Sequence, residues 1–249
     1  MITVVLIGAG NVAVHMAKAM YAANEVHLIQ RYARSLRNQE FFNSEIPFTK
    51  NLSELMQADL YLIAINDDEI SSFSKKLEVS GLVAHTSGSM ALNELQCKSG
   101  KGVCYPVQTF SKNELLEYIN IPFCLEAENK RDLELLKKFA NSISKNVYEI
   151  NSNQREKLHL AAVFANNFSN HMFKIANDLS EENNFSFDIL KPLLLETVKK
   201  LNHLSPIQAQ TGPARRNDQK VIAKHLKQLY QTEKEIYQVI TKSIIKTYS

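Results

Sequence analysis

Apolar residues in the first 150 positions come in short blocks, each followed by a stretch with helical spacing. Residues 2–7 (ITVVLI) form an unbroken apolar run, and residues 12–21 continue with a period near that of a helix. A short alternating strand at 25–30, a short helix at 51–58, an apolar strand at 59–65 and a helix at 69–77 follow. Next come a strand ending in His85, a short helix at 91–96, and a strand GVCY that runs into Tyr105. IPFCLEA, an amphipathic helix at 130–143 and a strand ending at Ile150 close this half. Strands alternating with helices predict an α/β fold with a parallel, doubly wound sheet.

Beyond residue 150 no strand-like run occurs and helical periodicity takes over, so the chain is expected to divide into 1–152 and an all-α domain, 153–249. Helices are predicted at 154–182 and 187–202, with a loop at 205–218 and a last helical region that breaks near Gln231. In the first of these, Leu158, Leu160, Val163, Phe164, Phe168, Met172 and Phe173 point in nearly every direction, which predicts a buried element. Polar groups in such a helix must find partners. At 3.6 residues per turn, His159, Asn166 and Asn170 fall within about 40° of one another. Asn167 and His171 form a second pair beside them. Arg155, one turn before His159, flanks the face. These groups either border a cleft, with imidazole as proton donor and amides orienting a carbonyl or imine, or bond to neighbouring helices or a second subunit.

The turn after the first strand carries the clearest chemistry. Gly8, Ala9 and Gly10 separate strand from helix, with Ala13 in the third small-residue place. Gly8 permits the sharp exit, Gly10 lets the backbone approach a pyrophosphate, and the N–H groups of Asn11 and Val12 begin the helix facing the anion. A site for NAD usually places a carboxylate about 20 residues further on, to bind the ribose 2′-hydroxyl. Here that region reads Gln30, Arg31, then Arg34 and Ser35, which favours NADP(H), with Arg31 and Ser35 expected on the 2′-phosphate. The alternative, that these arginines only solvate a loop, fits Arg37 more readily than Arg31. The other strand ends carry Asn66 with Asp67, HTSGS (His85 and Ser87 among them), and YPVQTF beginning at Tyr105. In a doubly wound sheet these ends border one crevice.

Composition narrows the partners. A net charge of +3 with no basic run longer than two residues points away from nucleic acid and anionic membrane, and leaves room for a small anionic substrate. The loop with Thr211, Gly212, Arg215 and Arg216 suits a carboxylate, or is an exposed, solvated helix cap. Cys97, Cys104 and Cys124 lack metal-ligand spacing and fit reduced cytoplasmic thiols; no metal is expected. Residues 2–7 lack the basic flank of a signal peptide, and no segment has the roughly 20 apolar residues of a membrane span.

GAGNVA at Gly8, HTSGS at His85, YPVQTFS at Tyr105, HLAAVFANNF at His159 and TGPARRND at Thr211 together resemble Rossmann-like oxidoreductases whose C-terminal half is a helical domain of unknown function. That family is similar in architecture to pyrroline-5-carboxylate reductase, ketopantoate reductase and 6-phosphogluconate dehydrogenase. The resemblance implies a Rossmann-type sheet, a C-terminal domain like that of 6-phosphogluconate dehydrogenase, and a homodimer formed through it. It also places His159 and Asn167, with Thr211 and Arg216, at the matching motif positions. The family's usual Arg-Gly-Asp reads Arg216, Asn217, Asp218 here, where asparagine takes positive φ less freely than glycine. The lysine and asparagine pair of the other relatives has no counterpart, since position 161, one turn after Lys157, is alanine.

The expectation is an NADP-dependent oxidoreductase that moves hydride between nicotinamide and a small carbonyl, imine or hydroxy acid. His159, Asn167 and His85 are the candidate catalytic groups, and Gly8, Gly10, Asn11, Val12, Arg31, Ser35, Asn66, Asp67 and Ser87 hold the cofactor. Tyr105, Asn166, Asn170, Thr211 and Arg216 are expected on the substrate. Two alternatives are a non-catalytic NADP-binding sensor or scaffold, and a protein that binds a deazaflavin instead.

Overall fold

The computed structural model describes residues 1–248 and divides into two compact units, Met1–Asn167 and Phe168–Ser249. The first is built on eight strands: β1 (Ile2–Ile7), β2 (Val26–Tyr32), β3 (Phe48–Thr49), β4 (Leu60–Ile63), β5 (Leu82–His85), β6 (Lys101–Pro106), β7 (Phe123–Ala127) and β8 (Val147–Glu149). Their order across the sheet is β3-β2-β1-β4-β5-β6-β7-β8. Strands β1 to β6 are parallel; β7 lies antiparallel to β6, and β8 parallel to β7. The chain order reverses at β1, which has β2 on one side and β4 on the other, so a crevice opens at the carboxyl ends of β1 and β4.

The strands read as apolar runs because both faces of the sheet are covered. Val4 and Leu6 pack on one side with α1 (Asn11–Ala22) and α3 (Lys130–Asn141), while Val5 and Ile7 pack on the other with Ile70 of α2 (Asp67–Ser74). Two expected helices are single 3₁₀ turns, Leu52–Glu54 and Leu92–Glu94, because Leu55 and Leu95 return to extended backbone. Strand β2 runs two residues further than its alternation suggests, carried by the pairing of Leu6 with Arg31 and Ile7 with Tyr32. Two-residue β3 is too short to leave a periodic signal.

Helix α4 (Ser152–Ala162) belongs to the first unit, beyond the boundary expected at 152. The reason is a buried polar anchor. Arg155, 1% exposed, pairs with Glu126 of β7 and donates through Nη2 to the Met90 carbonyl. Ser152 donates its backbone N–H and its hydroxyl to the same carboxylate at 2.9 and 2.7 Å. A capping box between Asn151 and Gln154 closes the helix start.

The single buried helix expected at 154–182 is instead α4, a π-helical stretch Val163–Phe168, and α5 (Ser169–Glu182). Leu160, Phe164 and Phe168 are about half or more exposed. The second unit continues with a 3₁₀ turn Phe187–Ile189, α6 (Lys191–Lys200), α7 (Pro206–Ala209), α8 (Gln219–Leu226) and α9 (Gln231–Tyr248). The expected helix at 187–202 is divided at Leu190. Asn217 does adopt the left-handed conformation, at φ +52°, and Asp218 caps α8 by accepting from the Val221 N–H. No helix among the described residues is long and apolar enough to cross a membrane.

Candidate functional site

The glycine turn has the geometry its sequence requires. Gly8 sits at φ +134°, and a Cβ there would collide with the Ala64 carbonyl on β4's exit. A Cβ at Gly10 would meet nothing within 4 Å, so open space faces this residue. Gly10 caps α1 without a side chain, and the first turn carries no acidic residue. The leading N–H groups of α1 have no acceptor within the helix, which suits a phosphate. Asn38, itself at φ +59°, donates from Nδ2 to the Ala9 carbonyl at 2.5 Å and fixes the turn from the loop after β2.

A cleft of about 790 Å³ opens over this turn. Among the residues expected to hold the cofactor, Gly8, Gly10, Asn11, Val12, Ser35, Asn66, Asp67 and Ser87 all line it. Arg31 does not. It is 4% exposed, stacks its guanidinium 4.2 Å from the Phe42 ring centre, and donates to Gln39 Oε1 at 3.0 Å. Burial lowers its pKa below the ordinary arginine value. The extended β2 moves the strand exit from Gln30 to Tyr32, and Arg34 and Arg37 line the cleft instead. Arg34 pairs with Glu69, at the start of α2, at 2.7 Å.

His85 also departs from expectation. It is fully buried at the end of β5, outside the cleft lining, and its Nδ1 accepts from the Ser87 N–H at 3.2 Å. Burial first, and then the charge of Arg155, hold its pKa down at about 4. Its hydrogen bond from the Ser87 N–H ties the imidazole to the turn that presents Ser87.

Tyr105, at the end of β6, and His159, on α4, come together across 54 positions of sequence: Oη and Nδ1 are 3.2 Å apart. The rings meet edge to face with centroids 6.0 Å apart. Gly88 makes the approach possible, since a Cβ there would lie 2.7 Å from both His159 Nδ1 and Tyr105 Cζ. Burial raises the Tyr105 pKa above the ordinary phenol value, which keeps its hydroxyl protonated at neutral pH. Next to Gly88, Ser87 lines the cleft; Ser89 on its other side donates to Asp67 Oδ2 at 2.5 Å. Neither Tyr105 nor His159 lines the cleft; Gly88, which both rings flank, is next in sequence to the cleft-lining Ser87.

The remaining candidates lie in the π-helical stretch and in the second unit. Asn166 and Asn167 lie exposed in the π-helical stretch, and the hydrogen bond of His159 goes to Tyr105 instead of Asn167. Asn170, Thr211 and Arg216 are exposed residues of the second unit. In that unit Arg215 stacks 4.1 Å from the Tyr248 ring centre. Sequence reading missed Lys76 and Lys112, which line the cleft, and Asn38; nothing in their local pattern separates them from solvated loop residues.

Comparison with known proteins agrees with this architecture. Residues 121–244 match a family model described as a domain of unknown function, DUF2520. A Bacteroides fragilis protein provisionally described as an NADP oxidoreductase is 36% identical over 98% of both chains, with a TM-score of 0.91. The chain belongs to this Rossmann-type oxidoreductase family. Pyrroline-5-carboxylate reductase from Streptococcus pyogenes shares the fold, at 14% identity over 99% of this chain and 98% of its own, TM-score 0.68. The same enzyme from Plasmodium falciparum, solved with NADP bound, is 14% identical over 99% and 97%, TM-score 0.63. No protein with a curated description matches the chain.

Proposed function

We propose that this oxidoreductase uses NADP(H) to move hydride between nicotinamide and a small carbonyl, imine or hydroxy acid, with the Tyr105–His159 pair handling the proton. The observation that carries the reading is that pair, wedged on Gly88 beside the cleft-lining Ser87. The glycine turn and the unpartnered N–H groups of α1 fit a pyrophosphate. For the phosphorylated dinucleotide the support is the exit of β2, where Arg34, Ser35 and Arg37 line the cleft and the strand ends in Tyr32, not in a carboxylate; Glu69 of α2 lines the same cleft, paired with Arg34. The NADP-bound relative of the same fold is consistent with this.

When bound, the nicotinamide supplies or accepts the hydride. The chain's own part is the proton. In reduction, His159 gives the proton on Nε2 to the substrate oxygen or nitrogen and ends as neutral imidazole. Tyr105 serves both states: its oxygen accepts from Nδ1–H of the imidazolium and, once Nε2 is bare, from the Nδ1–H that the neutral ring keeps. Because burial keeps the phenol protonated, it steadies the imidazole without itself ionising.

Replacing His159 with alanine is expected to lower turnover by about 10² to 10⁴ while NADPH binding stays intact. Unchanged turnover removes His159 from the mechanism. We further propose that two copies associate through the second unit, because Leu193, Leu195 and Val198 of α6 and Val239 of α9 are each more than 60% exposed.

A further inference from the structure

The segment after Tyr105 is held over the first helix in an unusual way. Three residues on one face of α1, at spacing i, i+4 and i+7, grip three consecutive main-chain carbonyls of this segment. Asn11 Nδ2 donates to the Phe110 carbonyl at 2.8 Å, His15 Nε2 to that of Ser111 at 2.9 Å, and Lys18 Nζ to that of Lys112 at 3.0 Å. His15 is fully buried, with its other nitrogen 2.9 Å from the Tyr118 hydroxyl and its ring 5.1 Å from that of Phe110. The strap is therefore fixed to the same helix whose N-terminus faces the cleft. Its last gripped residue, Lys112, lines that cleft together with Gly8, Gly10, Asn11 and Val12. Lys112 has no ion-pair partner among the described residues, whereas Arg34 at the far strand exit is paired with Glu69.

We infer that the strap delivers Lys112 as a binding residue for the pyrophosphate of the dinucleotide, adding a full positive charge to the partial charge of the α1 N-terminus. This rests on the proposed dinucleotide site, and it separates two anion subsites along one cleft. Lys112 serves the diphosphate common to both dinucleotides; Arg34 and Arg37 serve the phosphate that only NADP(H) has. The tethers end on main-chain carbonyls, so exchange of the Lys112 side chain leaves the strap in place.

The test is calorimetric titration of the full chain, wild type and variants, with NADPH and with NADH. Lys112→Gln should weaken both ligands by a similar factor, about 10-fold, the scale of one charge-assisted contact, and Lys112→Arg should restore most of the loss. Arg37→Ala should weaken NADPH selectively. Unchanged affinity of Lys112→Gln for both ligands overturns the inference while leaving the dinucleotide site standing, and so does a loss confined to NADPH. A wild-type protein that binds neither ligand overturns the dinucleotide reading and the inference with it.

Discussion

The two units treat their apolar side chains in opposite ways. In Met1–Asn167 the sheet is sealed on both faces, and Val4, Val5, Leu6, Ile7, Leu60, Leu62 and Ile63 are all at 0% exposure. In Phe168–Ser249 the buried hydrophobic residues among those described are only Ala214 and Ile222, while Leu193, Leu195, Val198, Ile207 and Val239 stand open. The first unit has a core of its own, and its specialised geometry is spent on a cleft. In the second, apolar side chains of α6 and α9 are exposed among the described residues, the condition in which association with a second copy would remove apolar surface from water. The proposed cofactor chemistry and the proposed self-association thereby fall to different parts of one chain.

The contrast can be broken first in the core. Leu62→Ala should cost about 2 to 5 kcal/mol in denaturant unfolding, at any protein concentration, because the sealed sheet cannot collapse around the cavity. A cost below that range would mean the first unit is less tightly packed than its burial suggests.

A second test uses pH. His85 titrates near 6.5 in the unfolded chain and at about 4 when folded, so between these values the unfolded chain binds more protons. Its contribution to stability is complete above pH 6.5 and falls as the pH drops towards 4. The size of this loss is about 3 kcal/mol at one pKa unit per 1.36 kcal/mol. Unfolding of His85→Gln, measured from neutral pH downwards, should show a shallower decline than wild type. Parallel declines would show that the buried imidazole does not contribute.

For the second unit the expected effects are smaller and depend on concentration. Leu195→Ala should weaken self-association about 5- to 30-fold, read by sedimentation, corresponding to about 1 to 2 kcal/mol for one interface side chain. NADPH affinity should be unchanged. A chain that sediments as a monomer at all concentrations removes the second copy from the account. Smallest of all, Asn217→Ala should cost about 1 kcal/mol for placing a Cβ-bearing residue without a helpful side chain at positive φ, and Asn217→Gly should not.

Much of the first unit was legible because its causes are local. A strand covered on both faces is an apolar run, and a strand-to-helix turn against a neighbouring carbonyl needs glycine at Gly8. What failed depends on pairing and packing. The end of β2 is set by its register on β1, and a shift of two residues moved the cleft arginines from Arg31 to Arg34 and Arg37. His85 has the residue type of a proton donor, but only the fold reveals that burial, and then the charge of Arg155, lower its pKa. Arg155 looked like a flank of a polar face and is instead the anchor of α4 on Glu126. The apolar residues in every direction over 154–182 pointed to a buried helix, but periodicity does not report burial, and Leu160, Phe164 and Phe168 are about half or more exposed. His159 could be singled out as polar among apolar neighbours; its partner Tyr105, and Gly88 between them, are brought together only by the sheet.

The central claim is that the cleft holds NADP(H) for hydride transfer and the Tyr105–His159 pair handles the proton. It is tested most directly by mixing the protein with NADPH and a panel of small keto acids and cyclic imines, and following loss of the reduced nicotinamide absorbance. The account predicts oxidation of NADPH with at least one member of the panel, and slower oxidation of NADH with the same compound. Tight NADPH binding with no oxidation across the panel would contradict it, and would make the protein an NADP-binding sensor or scaffold.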